Sequence, residues 1–128
     1  MYREEIIDPA LPIVDPHHHL WDRPGNPYFF FDLLRDIESG HNVRATVAVE
    51  ARAMYRREGP EALRPVGETE FVNGAAAMSA SGAYGECRVC AGIVGHADLL
   101  LGENVMPVLE ALIRAGGGRL RGVRYINA

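Results

Sequence analysis

Four short apolar runs, separated by longer stretches with a helical repeat, dominate the pattern of hydrophobic and polar positions along this chain. The runs are rich in β-branched residues and nearly continuous, which is typical of strands in a parallel sheet covered on both faces. Strands are therefore predicted to begin near residues 13, 45, 88 and 119, in the segments LPIVDPHHHLW, RATVAVEA, RVCAGIVG and RLRGVRYIN.

Three amphipathic stretches between these strands predict helices. FDLLRDIESG sets Phe31, Leu34 and Ile37 at threefold spacing and ends at Gly40, a residue favoured just after a helix. ETEFVNGAAAMSASGAY begins with acids that suit the helix dipole, and ENVMPVLEALIRAGGG carries an apolar stripe that reaches Ile113. The resulting order, β-α-β-α-β-α-β, predicts an α/β fold with right-handed crossovers and parallel strands.

The longest irregular stretch, RAMYRREGPEALRPVG, follows the second predicted strand. A long loop at the carboxyl end of a strand is where α/β proteins often place function. Because a (βα)8 barrel takes about 250 residues, a chain of 128 residues corresponds either to a small open α/β sheet or to half of a barrel. We expect one domain over residues 1–128, and in a barrel this would be a partial domain with the first four strands.

Composition narrows the classes of partner. The chain is 48% hydrophobic with a formal net charge of −4, as in ordinary globular proteins, and its 13 Lys and Arg residues form no basic tract for nucleic acid. No apolar stretch approaches the ~18 to 20 residues of a membrane span. The start, MYREEIIDPA, has acids where a signal peptide would be basic and then apolar. We expect a cytoplasmic protein with a small-molecule partner, no nucleic acid and no membrane.

The two cysteines, Cys87 and Cys90, form a CxxC pair. Such a pair is found in redox motifs and in zinc sites, but here no second cysteine pair or partner histidine lies at zinc-finger spacing. We interpret both as reduced, partly buried thiols at the entry to a strand.

A run of three histidines lies in the first predicted strand, within IVDPHHHLWD. Alternate side chains of a strand share a face, so Asp15, His17, His19 and Trp21 are predicted to project to one side and His18 to the other. Two imidazoles two residues apart can bind one cation, although a catalytic zinc typically has about three protein ligands. Asp15 would then hydrogen-bond to an imidazole or to the end of the strand and orient it, without binding the metal itself. The alternative is a pair of structural histidines at a strand end.

The same decapeptide resembles the first-strand signature of the amidohydrolase superfamily, in particular the amidohydrolase 2 family of predicted TIM-barrel metal-dependent hydrolases. The segments AVEARAMYRREGPEALRPVGETEFVNGAAA, CAGIVGHADLLLG and GGGRLRGVRYINA resemble its second, third and fourth strand regions, in order. The resemblance covers nearly the whole chain. It implies the N-terminal half of a (βα)8 TIM barrel and a hydrolase acting on a small lactone, ester or amide that carries a carboxylate. The alternatives are a decarboxylase of the same superfamily and a non-catalytic α/β piece in which the histidines merely pack.

The resemblance assigns roles to individual residues. It implies that His17 and His19 bind a divalent metal, with zinc favoured, although some lactonase relatives act without one. The family's carboxylate-binding arginine falls on Arg124, and Arg121 lies in the same segment. Residues three positions apart on a strand point to opposite faces, so at most one of the two arginines readily faces the site. We favour Arg124 because it lies nearer the carboxyl end of the strand, where barrel active sites form.

Further substrate-binding candidates are Trp21, Glu50 and Tyr55. Glu50 ends the second strand, where it either faces the pocket or caps the loop, and Tyr55, like its neighbour Arg56, either contacts substrate or is ordinary surface. His96, after the third strand, either reaches the pocket or is structural, while the remaining histidines, His18 and His41, are interpreted as non-ligands.

The resemblance also says what this chain would lack. The family's general-base aspartate is expected beyond residue 128, so the chain alone is expected to be nearly inactive. An unpaired edge at the fourth strand and exposed apolar surface would favour association. A homo-oligomer is therefore one possible state of the full-length protein.

Overall fold

The computed structural model describes residues 3–126 and contains a parallel four-stranded sheet. The strands lie side by side in chain order, which confirms the predicted parallel α/β arrangement. All four predicted apolar runs contribute one strand each. The labels follow chain order, and β2 and β3 are the strands of a small hairpin described below. The sheet strands are β1 (Pro12–His18), β4 (Asn42–Val49), β5 (Arg88–His96) and β6 (Leu120–Arg124).

Three α-helices connect the sheet strands and pack against them. They are α1 (Phe30–Ile37), α2 (Val66–Ala80) and α3 (Met106–Ala115), with short 3₁₀ turns at Glu61–Leu63 and Leu99–Val105. One apolar cluster joins α1 and α2 to the sheet, and a second joins the start of α2 to α3. Burial of these stripes is the main stabilising contribution, because most helical stability in proteins comes from packing.

The buried face of α1 differs from the predicted one. Phe30, Leu33 and Leu34 are buried, whereas Phe31 is 51% exposed. A helix repeats every 3.6 residues, so a strict threefold spacing drifts off the buried stripe. In α3, Ile113 is exposed while Leu112 is fully buried, because neighbouring residues point about 100° apart around a helix and Ile113 lies at the rim of the stripe.

A small antiparallel hairpin, absent from the sequence prediction, follows β1. It pairs β2 (Trp21–Arg23) with β3 (Asn26–Tyr28) around a two-residue turn. The first sheet strand therefore ends at His18, and Trp21, predicted to continue it, belongs to the hairpin. The indole N–H of Trp21 donates to the carbonyl of Asn26 at 3.0 Å, and the Arg23 guanidinium lies 3.7 Å from the centre of the indole ring.

The edges of the sheet expose apolar side chains, as predicted. Within the described residues, β1 and β6 are the edge strands, and Leu11, Val14 and Ile126 are exposed beside them. Self-association stays a prediction. In the described part of the chain, none of the helices has the length and apolar character that a membrane crossing requires.

The CxxC segment enters β5 through a bulge. Between the pairs Ala45 with Arg88 and Val47 with Gly92, one residue of β4 is opposed by three of β5. Cys90 lies in this bulge with a positive φ of 53° and is fully buried, while Cys87 is partly buried. Both are free thiols, and burial raises the pKa of Cys90 to about 12, which makes it a poor nucleophile.

Candidate functional site at the carboxyl edge of the sheet

The carboxyl ends of the four parallel strands lie along one edge, and each carries a polar side chain. Val49 at the end of β4 pairs with Val94, and His96 at the end of β5 pairs with Arg124 on β6. In open and closed α/β sheets this edge is where ligands bind. The polar side chains that mark it are His19, Glu50, His96 and Arg124.

The histidine run alternates across the sheet as predicted. The rings of His17 and His19 lie on the same side, with centroids 5.0 Å apart and planes nearly perpendicular at 86°. His18 points the other way and is buried, with its Nε2 2.8 Å from the hydroxyl of Thr46. Burial lowers the pKa of His18 and so favours its neutral form. His18 is therefore a core histidine, in agreement with its interpretation as a non-ligand.

A backbone carbonyl fixes the orientation of His19. Its Nδ1 lies 2.7 Å from the carbonyl oxygen of Val49, and because a carbonyl can only accept, Nδ1 must carry the hydrogen. In the neutral ring this leaves the lone pair on Nε2. The indole of Trp21 stacks on the imidazole of His19 with ring centroids 5.4 Å apart, which further restricts the rotation of the imidazole. This is the support that metal-binding histidines usually have.

The two histidines supply part of a metal site. Imidazole nitrogens suit zinc and similar divalent ions, so the donor chemistry of His17 and His19 fits the implied metal. Between residues 3 and 126, no three side chains of His, Cys, Asp or Glu converge in a way that could hold an ion. Asp15 supports the backbone here, because its Oδ1 accepts the backbone N–H of His17 at 3.1 Å. Asp15 was predicted to orient either an imidazole or the end of the strand, and this backbone contact corresponds to the second role.

Glu50 and Arg124 form a partly buried ion pair at this edge, with Glu50 as the buried partner. Nε of Arg124 donates to Oε1 of Glu50 at 2.9 Å, and its terminal nitrogen donates to the Glu50 carbonyl. The hydroxyl of Tyr55 and the backbone N–H of Arg52 donate to Oε2 at 3.0 and 3.2 Å. Burial by itself raises the pKa of Glu50, which is 3% exposed, but these donors outweigh it and hold the pKa below its ordinary value. Glu50 is thus an ionised carboxylate that positions Arg124 and Tyr55.

The two arginines of the fourth sheet strand have different environments. Arg124 lies at the carboxyl edge with Glu50, whereas Arg121 is exposed and donates to the carbonyls of Gly118 and Leu120 at 2.9 and 3.0 Å. These carbonyls belong to the entry of β6, remote from its carboxyl end. Of the two arginines, Arg124 is the one at the same edge as the histidines, and it was preferred in the sequence because it lies nearer the carboxyl end of the strand.

An aromatic wall continues from Tyr55 along the edge. The ring of His96 lies between Tyr55 and Tyr125, with centroid separations of 6.2 and 5.8 Å. Tyr55 and His96 line a cleft of about 650 Å³ whose other walls come from the loop before α2 and the turn after β5. Arg56 also lines this cleft, where it pairs with Glu70. Tyr55 and His96 therefore lie on the same cleft.

Glu68, in the first turn of α2, is a buried acid whose place in the sequence indicated only a favourable charge for the helix dipole. It is 4% exposed, and its Oε2 accepts the backbone N–H of Ala51 at 2.9 Å. Burial raises its pKa to about 7, while backbone N–H groups of the loop oppose the rise. The signal that could have revealed it is spacing, because Glu68 and Val72 lie four residues apart on the same buried stripe.

Comparisons of the chain with protein-family models, with curated proteins and with solved structures find no match. The amidohydrolase 2 assignment therefore stays a prediction that depends on the four sequence segments. The geometry of the carboxyl edge is the independent ground on which a function can be proposed.

Proposed function

We propose that this chain forms the first four βα units of an amidohydrolase 2 type barrel, and that its carboxyl edge carries part of the active site of a metal-dependent hydrolase. The parallel strands follow one another in chain order, which is the order a (βα)8 barrel requires. Polar side chains lie at the carboxyl ends of the strands, where barrel enzymes have their active sites. Both features support the proposal.

The observation that carries this proposal is the orientation of His19 beside His17. With Nδ1 donating to Val49, the Nε2 of His19 is free to bind an ion, and the His17 ring lies 5.0 Å away. We assign these two imidazoles as ligands of a divalent ion, with zinc favoured. Such an ion, when bound, polarises a substrate carbonyl and lowers the pKa of water.

Arg124 is assigned to the anionic group of the substrate. Its Nε and one N–H of a terminal nitrogen are used by Glu50, which leaves the other terminal nitrogen to donate. A guanidinium held by a buried carboxylate loses little rotamer entropy when it binds a second anion, and a carboxylate suits its planar geometry. The substrate class is therefore a small lactone, ester or amide that carries a carboxylate.

The other predicted residues divide into two groups. Trp21 stacks on His19 and provides an apolar wall, whereas Glu50 and Tyr55 bond to each other and position the guanidinium. Three donors, from Arg124, Tyr55 and Arg52, occupy the Glu50 carboxylate, so we assign it no role as a general base. Arg121 bonds to backbone carbonyls at the entry of its strand, and the geometry offers no support for its binding substrate.

Zinc binding by the purified chain tests the proposal. We expect the wild-type chain to retain Zn²⁺ stoichiometrically after dialysis, as measured by elemental analysis, and the double variant His17→Ala, His19→Ala to lose it. His41→Ala is the matched control, because His41 is an exposed histidine that precedes β4 at the opposite end of the sheet. Circular dichroism checks that each variant is folded.

Two outcomes contradict this assignment. If the wild-type chain retains no stoichiometric Zn²⁺, or if the double variant retains as much as wild type, the two histidines are structural. Equal losses in His41→Ala and in the double variant would indicate non-specific binding by surface imidazoles.

A further inference from the structure

A small internal cavity lies between the sheet and the first two turns of α2. Its volume is about 10 Å³, and it is lined by residues of β4, β5 and α2. A space of about this size holds a single water molecule, provided that polar groups surround it. Most of the lining residues are apolar, and the polar ones are Glu50, Glu68 and Thr69.

Two of these polar side chains have an atom without a hydrogen-bond partner in the described chain. They are Oε1 of Glu68 and Oγ1 of Thr69, and both atoms are shielded from solvent. The residues are 4% and 1% exposed. A buried polar atom that makes no hydrogen bond costs about 1 to 3 kcal/mol, so two such atoms on one cavity are unfavourable unless something joins them.

We propose that one ordered water molecule occupies this cavity and bridges Glu68 to Thr69. The Thr69 hydroxyl donates to the water oxygen, and when Glu68 is ionised the water donates one hydrogen to its Oε1. Its second hydrogen is directed to the Glu50 carboxylate, the other acceptor side chain on the cavity wall. A buried water typically makes about three hydrogen bonds, and this arrangement supplies three.

The water connects α2 to the loop that follows β4. Oε2 of Glu68 accepts the N–H of Ala51, and Glu50 accepts the N–H of Arg52, so both carboxylates hold the same loop backbone. With the water bridging them, helix, loop and sheet belong to one hydrogen-bond network. This inference is independent of the metal, because none of its groups is a proposed ligand.

Substitutions at Thr69 test the water site with little change of shape. Thr69→Val replaces the hydroxyl by a methyl group, and Thr69→Ser is the control that keeps the hydroxyl. In the ¹⁵N-labelled wild-type chain we expect a long-lived water to give cross-relaxation with amides beside the cavity. We expect this signal to be lost in Thr69→Val and kept in Thr69→Ser. Hydrogen exchange at the Ala51 amide should become about fivefold faster in Thr69→Val, since a net hydrogen bond contributes about 1 kcal/mol and about 1.4 kcal/mol corresponds to tenfold.

A wild-type chain that shows no long-lived water at these amides overturns the proposal, as does a water signal that survives in Thr69→Val. Because the wild-type measurement is decisive by itself, the test stands even if Thr69→Val fails to fold. Zinc retention should be the same in wild type and Thr69→Ser, so failure of this inference and failure of the proposed function are separable.

Discussion

Replacing Glu68 with glutamine removes a buried carboxyl at nearly constant shape. Burial places the pKa of this group in the folded chain at about 7, compared with its ordinary value of 4.5. Backbone N–H groups of the loop lower it, and Glu50, the charged side chain that faces it, raises it. The folded chain therefore holds a proton at Glu68 over a pH range in which the unfolded chain has released it.

The sign of the pH effect follows from proton linkage. Where the folded state binds more protons than the unfolded state, the free energy of unfolding falls as pH rises. The contribution of Glu68 is complete below its ordinary pKa and is lost as pH rises through about 7. Between about pH 5 and about pH 8 the change is about 2.5 kcal/mol, because each unit of pKa corresponds to about 1.4 kcal/mol.

Urea denaturation at several pH values measures this contribution. We expect the free energy of unfolding of wild type, minus that of Glu68→Gln, to be about 2.5 kcal/mol larger near pH 5 than near pH 8. The subtraction cancels the titration of groups that both chains share. Glu110→Gln, at an exposed position on α3, is the matched control and should differ from wild type by a constant within about 0.5 kcal/mol. A constant difference for Glu68→Gln, or one that grows with pH, would refute the reasoning.

Two further predictions concern other contacts of the same region. Arg124→Met removes the cation from a buried carboxylate and should lower the free energy of unfolding by about 3 kcal/mol. The control Arg121→Met, at an exposed position, should change the free energy of unfolding by less than about 0.5 kcal/mol. Equal urea midpoints for the two variants would contradict the ion-pair assignment. A Cβ at Gly67 would lie 2.9 Å from a backbone nitrogen of the loop, while nothing lies within 4 Å of a Cβ at Gly74. Gly67→Ala should therefore lower the thermal midpoint. Gly74→Ala, in the same helix, should raise the thermal midpoint, because glycine inside a helix is about 1 kcal/mol less favourable than alanine. A raised midpoint in both variants would show that the loop is not in close contact with the helix.

The sequence by itself determined the sheet strands, the α-helices and the local direction of side chains, but it did not reveal the short hairpin of β2 and β3. The four sheet strands follow from nearly continuous apolar runs, and the three helices from a repeat of about 3.6 residues. Within a strand, successive side chains alternate between the two faces, which is a property of the backbone geometry. The opposite directions of His18 and its two neighbours follow from the same rule, because alternation along a strand needs no knowledge of distant residues. Errors in this part are local, such as the threefold spacing that misplaced Phe31.

Tertiary structure alone decided which groups meet. Glu50 and Arg124 are 74 positions apart, and Glu68 accepts a hydrogen bond from a residue 17 positions away. Contacts of this kind depend on how β4, β6 and α2 pack, and no local repeat encodes that packing. Burial likewise converted Glu68 from an ordinary helix acid into a group with a raised pKa, since desolvation is set by the neighbours that cover a side chain.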